Sequence, residues 1–364
     1  MAQPLKEMVD STVVEQLADR FAAIAKGFDR TRFTSDVVAQ LPDLELKQRI
    51  EAIARGLAAY LDRDYCTALE SVVAVAVSEP PLDGFAAWPL CTFVEIFGID
   101  HPAASLHAME HLTKRASCEF AIRPFLRDHF EEAYAALVGF TDNDDEAVRR
   151  LSSEGSRPRL PWGMRVAQLL NDPEPGLALL ERLRHDPSET VRRSLANHLN
   201  DVAKDHPTIV VKTAKRWLEE DPPVDHKLAT HALRNLVKDG DPAALETLGF
   251  TTKPLVEVVR FSVSPQMIEM GDRVELDVEL LSTSHAAQRL VIDFVIHHVG
   301  AKGGTSPKVF KWGIVDLAAG ASATLKKRRL IQQASTRTYR AGIHAVDLQV
   351  AGQILASTSF VVGV

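Results

Sequence analysis

Up to about residue 250 the apolar residues recur at the three-to-four-residue spacing that lines one face of a helix. Val13, Val14, Leu17, Phe21 and Ile24 form one stripe, and Leu46, Ile50, Ile53, Leu57 and Leu61 a second. Val191, Leu195, Leu199 and Val202 form a third, and Val210, Val211, Ala214, Trp217 and Leu218 a fourth. Asp172-Pro173, Asp186-Pro187, Asp221-Pro222-Pro223 and Asp241-Pro242 separate them, as expected of helix ends and starts. After Thr251-Thr252-Lys253-Pro254 the period drops to two. Val274, Leu276, Val278 and Leu280 alternate with acidic residues, and Leu290, Ile292, Phe294 and Ile296 repeat the alternation of a half-buried antiparallel strand. About seven strand candidates lie between Val256 and Val362, divided by turn-rich segments such as Gly300–Pro307 and Ala318–Gly320. That number predicts an immunoglobulin-like β-sandwich, here without a cysteine for an inter-sheet disulfide. The expected chain is therefore mainly α: helical repeats over residues 1–252, then an all-β sandwich over 253–364.

The helical part echoes itself. Val148-Arg149-Arg150 recurs as Val191-Arg192-Arg193, and Leu195-Ala196 before Lys204-Asp205 resembles Leu228-Ala229 before Lys238-Asp239. Aspartate between two helices, with Val-Arg early in the second, is the pattern of HEAT-like repeats of ~40–47 residues. Such pairs stack into a solenoid with a concave binding surface; an up-and-down bundle is the alternative. The copy at Val191 can continue as a clean helix through Asp201. The copy at Val148 is cut by Gly155, Pro158 and Pro161, and within the cut lie Glu154, Arg157, Arg159 and Trp162. A repeat that breaks its own local rule is where function is expected to have displaced regularity.

With 46% hydrophobic and 25% charged residues among 364, the composition is that of an ordinary globular protein long enough for two domains. No apolar run approaches the ~18 residues of a membrane span. The opening Met1-Ala2-Gln3-Pro4-Leu5-Lys6-Glu7 lacks the regions of a secretory signal. Cys66, Cys91 and Cys118 are too few and too scattered for a disulfide framework or a paired-cysteine metal site, so a reducing cytoplasm is expected. The net charge of −7 is unfavourable for a nucleic-acid partner, but its distribution matters more. Residues 1–112 hold 9 basic against 17 acidic side chains, residues 113–216 hold 17 against 16, and residues 217–364 hold 16 of each. The middle third is thus free to present its paired arginines on one face.

Ser117-Cys118-Glu119-Phe120-Ala121-Ile122-Arg123-Pro124-Phe125, together with Ser153 to Trp162, resembles the AlkC branch of the AlkD/AlkC family of DNA alkylation-repair glycosylases. The likeness covers the helical part, including Leu44-Glu45-Leu46-Lys47-Gln48-Arg49, and some members of that branch also end in an immunoglobulin-like domain. Its most specific segment is Glu154-Gly155-Ser156-Arg157-Pro158-Arg159-Leu160-Pro161-Trp162. The resemblance implies monofunctional removal of cationic N3-methylated bases (3-methyladenine and 3-methylcytosine) from double-stranded DNA in base excision repair. It further implies no swing of the damaged nucleotide into a deep pocket, no cofactor and no metal; nothing demands more than a monomer. It places the catalytic carboxylates at Glu119 and Glu154 and an aromatic wall at Trp162, with Asp201 a further candidate.

The residue types suit that chemistry. A base methylated at N3 is already cationic and leaves readily, so the charge to be stabilised develops on the sugar, where a fixed carboxylate acts more strongly in the transition state than before it. The same carboxylate can orient or deprotonate water, and tryptophan offers a negative π-face. Arg157 and Arg159 are candidate phosphate contacts, with Arg123, Arg149, Arg192 and Lys204 behind them. Each has a plainer rival. Glu154 pairs easily with a neighbouring arginine, Glu119 and Arg123 have the spacing of a surface helix pair, Trp162 fits a helix-junction plug, Asp201 has lysine close by, and Val-Arg in HEAT-like repeats is commonly structural.

Two other motifs compete. His107-Ala108-Met109-Glu110-His111 matches a zinc-peptidase pattern but lacks a downstream third ligand. Lys326-Lys327-Arg328-Arg329 looks like a phosphate patch, yet in a strand at most two of its residues share a face. The rival functions are a non-catalytic HEAT scaffold for protein or undamaged DNA, and a zinc hydrolase.

Overall fold

Side-chain caps begin several of the helices. Asp10 accepts from the backbone N–H groups of Thr12 and Val13, Asp145 from Ala147, Ser188 from Thr190 and Val191, and Asp241 from Ala244. Each such cap is worth about 1 kcal/mol. In the computed structural model, which describes residues 4–300, 303–333 and 339–363, the apolar stripes turn inward. Met1-Ala2-Gln3 of the leader reading and Ala301-Lys302 of the expected turn lie outside the described residues. Val13, Val14, Leu17 and Phe21 are buried in the helix Ser11–Ile24, as are Ile50, Ile53 and Leu57 in Leu46–Tyr60. Ile24 is the exception at 40% exposure: it ends its helix, and the next residue turns extended.

The HEAT-like reading is visible as a ladder. Helix Phe130–Phe140 is followed by Glu146–Gly155, and Glu174–Leu183 by Glu189–Val202. Arg149 donates to the main-chain oxygens of Asn143 (2.9 Å) and Asp144 (2.8 Å) in its own inter-helix turn, and to both carboxylate oxygens of Asp186 (2.6 and 3.1 Å) in the next. Arg192 repeats this, donating to the Asp186 and Pro187 carbonyls (2.6 and 2.7 Å), with its Nε 3.8 Å from Asp225. Each guanidinium ties one turn to the next. Arg149 and Arg192, expected to touch phosphate, are instead occupied by the repeat itself.

By contacts the described chain forms two compact units. One runs to His206 and includes Val224–Ala232; the other takes Pro207–Pro223 and everything from Leu233 onward. The last helix, Pro242–Thr247, precedes the first strand. Within the second unit, strands β1 (Val256–Ser264), β2 (Met267–Ile268), β3 (Arg273–Ser282), β4 (Gln288–Val299), β5 (Thr305–Leu317), β6 (Ser322–Leu330), β7 (Gly342–Val350) and β8 (Gln353–Val362) form two sheets, ordered β1-β3-β6 and β2-β8-β7-β4-β5. All pairings are antiparallel except β2 with β8.

β3 alternates as predicted, with Val274, Leu276, Val278 and Leu280 inward. β4 does not, because Val291, Asp293 and Val295 are buried along with Leu290, Ile292, Phe294 and Ile296. Its second face lies against the helical segment of the same unit: Gln349, cross-strand from Asp293, donates to the Lys238 carbonyl, and Gly352 packs on Gly240. Burial there pushes the Asp293 carboxyl up to about 6, against the opposing charges of Lys238 and Lys311. On β6, Lys326 and Arg328 share one face, and they pair with Glu275 and Asp277 of β3.

Leu195 and Leu199 are fully buried in the helix Glu189–Val202. Leu195→Ala is expected to destabilise the protein by about 2–5 kcal/mol, because the cavity left in a repeat core collapses only in part; chemical denaturation measures it.

Candidate active site

The segment after Glu154 is shaped by what holds its backbone. Helix Glu146–Gly155 stops where its echo continues to Val202. Gly155 must be glycine, since a Cβ there would lie 2.7 Å from Cγ2 of Ile122. Beside it, Arg123 is 0% exposed; its Nη1 donates to the carbonyls of Gly155 (2.8 Å) and Arg157 (2.9 Å), and its Nε to that of Met164. Burial draws its pKa down to about 10, so it remains charged. Arg123 was expected near phosphate, but its side chain lies wholly inside and pins both ends of the interruption.

Trp162 sits at φ +64, a left-handed backbone that a bulky residue adopts rarely and at a cost of about 1–3 kcal/mol. Its carbonyl accepts from Lys47 Nζ (2.8 Å), while its side chain is 69% exposed. The same ammonium stands 4.2 Å above the Phe120 ring, which stacks on Trp88 at 5.5 Å.

Between these anchors lies a chain of alternating charges. Glu119 Oε2 accepts from Ser117 Oγ and from Arg150 Nη2, both at 2.9 Å. That Arg150 nitrogen is also 3.7 Å from Glu154 Oε1. Glu154, 6% exposed, accepts from Arg157 Nη1 and Ser194 Oγ, both at 2.6 Å. Arg157 donates its other edge to Asp201 Oδ2 (2.8 and 2.7 Å), and Asp201 Oδ1 also takes Lys204 Nζ (3.1 Å). Burial alone would push the Glu154 carboxyl up. The charges of Arg150 and Arg157, with hydrogen bonds from Ser194 and Arg157, outweigh it and hold the group below its ordinary value. Burial likewise opposes the Arg157 charge, and Glu154 and Asp201 more than restore it.

Glu119 and Glu154 line one cavity of about 470 Å³, with Phe85, Trp88, Phe120 and Trp162 among its walls. A cleft with carboxylates at its base and aromatic sides suits a cation. Asp201 is buried behind Arg157 and is not part of the lining. Arg157 itself, expected to contact phosphate, is buried with both edges engaged, and bridges the two acids instead. Arg159 forks onto Asp205 (2.7 Å for each bond) and stays partly exposed, as does Lys204. His107 and His111 lie elsewhere, lining a separate cleft with Cys66 and Glu70. Among the described residues no group of three or more His, Cys, Asp or Glu is placed to hold a metal ion.

Three participants escaped the sequence reading. Arg150 joins the two carboxylates, and its four-residue spacing from Glu154 was a usable helical signal. Ser117 opens the stretch that runs to Phe125 and reaches Glu119 two residues on, but nothing in the sequence marked its hydroxyl as a donor; Ser194 carried no signal, since its bond to Glu154 spans 40 residues.

Residues 257–364 match the family model described as "Uncharacterised protein YhaZ, C-terminal Ig-like domain". The chain is 32% identical over 357 residues to the uncharacterized protein YhaZ of Bacillus subtilis, covering 98% of each. Its fold matches the solved structure of the alkylpurine DNA glycosylase AlkC of Pseudomonas fluorescens, bound to DNA containing an abasic site analog. The TM-score is 0.92, with 36% identity over the whole of both chains. No helix among the described residues is long and apolar enough to cross a membrane. With this agreement over its full length, helical repeats and sandwich together, the chain belongs to the AlkC family of DNA glycosylases.

Proposed function

We propose that this glycosylase hydrolyses the N-glycosidic bond of cationic N3-methylated bases, 3-methyladenine and 3-methylcytosine, in double-stranded DNA. The observation that carries this reading is the placement of Glu119 and Glu154 about one Arg150 nitrogen, at the base of an aromatic-walled cleft. As the C1′–N bond breaks, its electron pair leaves with the base, which departs neutral, and positive charge gathers on the sugar. The paired carboxylates stabilise that charge, and water bonds to C1′ as it surrenders a proton to one of them. We assign the water to Glu154, whose ionised carboxylate orients it and takes up its proton as the bond to C1′ forms, and electrostatic stabilisation chiefly to Glu119. The cationic leaving group needs no general acid, which agrees with a site whose cations are already bound to carboxylates.

Trp162 presents its ring outward beside the carboxylates, which supports contact with a nucleotide approached from the duplex rather than swung into a deep pocket. Arg159 and Lys204, partly exposed, are the proposed phosphate contacts; Asp201 is proposed to orient Arg157. All these groups lie within residues 1–252, which supports that segment as the catalytic domain. DNA as substrate also favours the cytoplasm.

Glu119→Gln and Glu154→Gln are each expected to slow release of free methylated base from methylated DNA by about tenfold or more, with DNA affinity retained and chelators without effect. Chromatography of the released bases checks this, and wild-type rates in both variants would refute the assignment. Stability gives an independent reading of Glu154. Its folded pKa lies below the ordinary 4.5, so its ion pairing stabilises the fold fully above that value and ceases to do so as pH falls through the folded pKa. Glu154→Gln should therefore be less stable than wild type at neutral pH, with the gap closing under acid. Denaturant titrations across pH measure it, and a gap undiminished in acid would contradict the electrostatic origin.

A further inference from the structure

We infer that Ser194 and Ser153 form a buried hydroxyl chain that positions Glu154 and takes up the hydrogen bond of the proton it receives from water. This rests on the reading of Glu154 as the carboxylate that handles the water.

Both hydroxyls are buried. Ser194 Oγ is 2.6 Å from Glu154 Oε2 and 2.6 Å from Ser153 Oγ, and Ser153 Oγ is 3.1 Å from the Arg150 carbonyl oxygen. A hydroxyl has one proton to donate. An ionised Glu154 can only accept, so Ser194 must donate to it, and Ser153 must then donate to Ser194. Once Glu154 is protonated the order reverses: its O–H donates to Ser194, Ser194 to Ser153, and Ser153 to the Arg150 carbonyl. No proton travels along the chain; each hydroxyl keeps its own and rotates. In both states every member is satisfied, which matters because an orphaned buried donor costs about 1–3 kcal/mol.

The surroundings keep this chain in place. His198, buried, donates from Nδ1 to the Ser153 carbonyl (2.9 Å), and burial draws its pKa down to about 4, so it stays neutral. Helix Glu174–Leu183 makes room for that ring with Gly176, where a Cβ would lie 2.8 Å from His198 Nε2. The charged groups around Glu154 are Arg150 and Arg157, with Glu119 beyond the first and Asp201 beyond the second. The arginines favour the ionised carboxylate whatever the hydroxyls do. Among the bonds described for Glu154, the serine chain offers both a hydrogen bond to the ionised state and an acceptor to the protonated one.

The test follows base release from methylated DNA at saturating substrate over a range of pH, in full-length Ser194→Ala, Ser194→Thr, Ser153→Ala and Glu154→Gln proteins. Ser194→Ala should lower kcat about tenfold and move the acid limb of its pH profile upward by about one unit, since the ionised carboxylate has lost a donor. KM should stay within about twofold, because substrate binding is untouched. Ser194→Thr should restore both rate and profile. Ser153→Ala should shift the limb in the same direction by less. Added to Glu154→Gln, Ser194→Ala should slow the reaction by no more than about twofold further, as expected of coupled residues. A Ser194→Ala enzyme with an unmoved acid limb, beside a slow Glu154→Gln enzyme, overturns this inference alone. A Glu154→Gln enzyme as fast as wild type overturns the assignment of Glu154 as well. If Ser194→Ala does not fold, a wild-type profile in Ser153→Ala overturns the inference.

Discussion

The site rests on keeping a buried carboxylate ionised. Moving a carboxylate from water into a protein interior carries a penalty of several kcal/mol unless it is paired and hydrogen-bonded. Glu154 meets Arg150 from one turn back on its own helix, Arg157 from the broken segment beyond, and Ser194 from the echo helix. The network balances three acids, Glu119, Glu154 and Asp201, with three cations, Arg150, Arg157 and Lys204. What a developing cation on a sugar can exploit is therefore placement and not net charge: Glu119 and Glu154 both line the cleft and are fixed there before the bond breaks.

This requirement explains why the repeat departs from its own pattern. Aligning Val148 with Val191 puts Ser156 opposite Leu199 and Arg157 opposite Asn200. Leu199 is a core residue of the echo helix. Its counterpart Ser156 is buried too, but turns its hydroxyl back to the Ser152 carbonyl (2.6 Å), capping the shortened helix instead of packing as leucine would. The stop frees Arg157 to swing between Glu154 and Asp201. Regularity was given up over one turn of helix, and the ion pairs occupy the space it left.

What the sequence disclosed follows from what periodicity records. It records faces, so the helical stripes and the alternation of β3 are legible, and the break after Glu154 stands out as an irregularity. It does not record what covers a face, and the two-sided burial of β4 depends on a helical segment of the same unit that no alternation announces. Charge was the weaker guide for a similar reason. Arg123, Arg149, Arg157 and Arg192 read as phosphate ligands because a sequence shows a guanidinium without its partner, yet all four are held by carbonyls or carboxylates. Arg150 was within reach. Adjacent helical residues point about 100° apart, so if Arg149 faces the turns of the ladder, its neighbour faces Glu154.

Trp162 shows how much of the site's shape is enforced rather than intrinsic. A left-handed tryptophan is disfavoured by about 1–3 kcal/mol, and in a free loop it would relax. Hydrogen bonds from charged donors contribute about 1.5–3 kcal/mol when desolvated and less at an exposed rim, so Lys47 alone, largely exposed, only roughly balances the strain. The buried Arg123 tips it, since three carbonyls flanking the interruption converge on one guanidinium that no solvent reaches. The backbone on either side of Trp162 is therefore held from inside the repeat: the buried Arg123, expected at phosphate, fixes the segment that carries the aromatic wall.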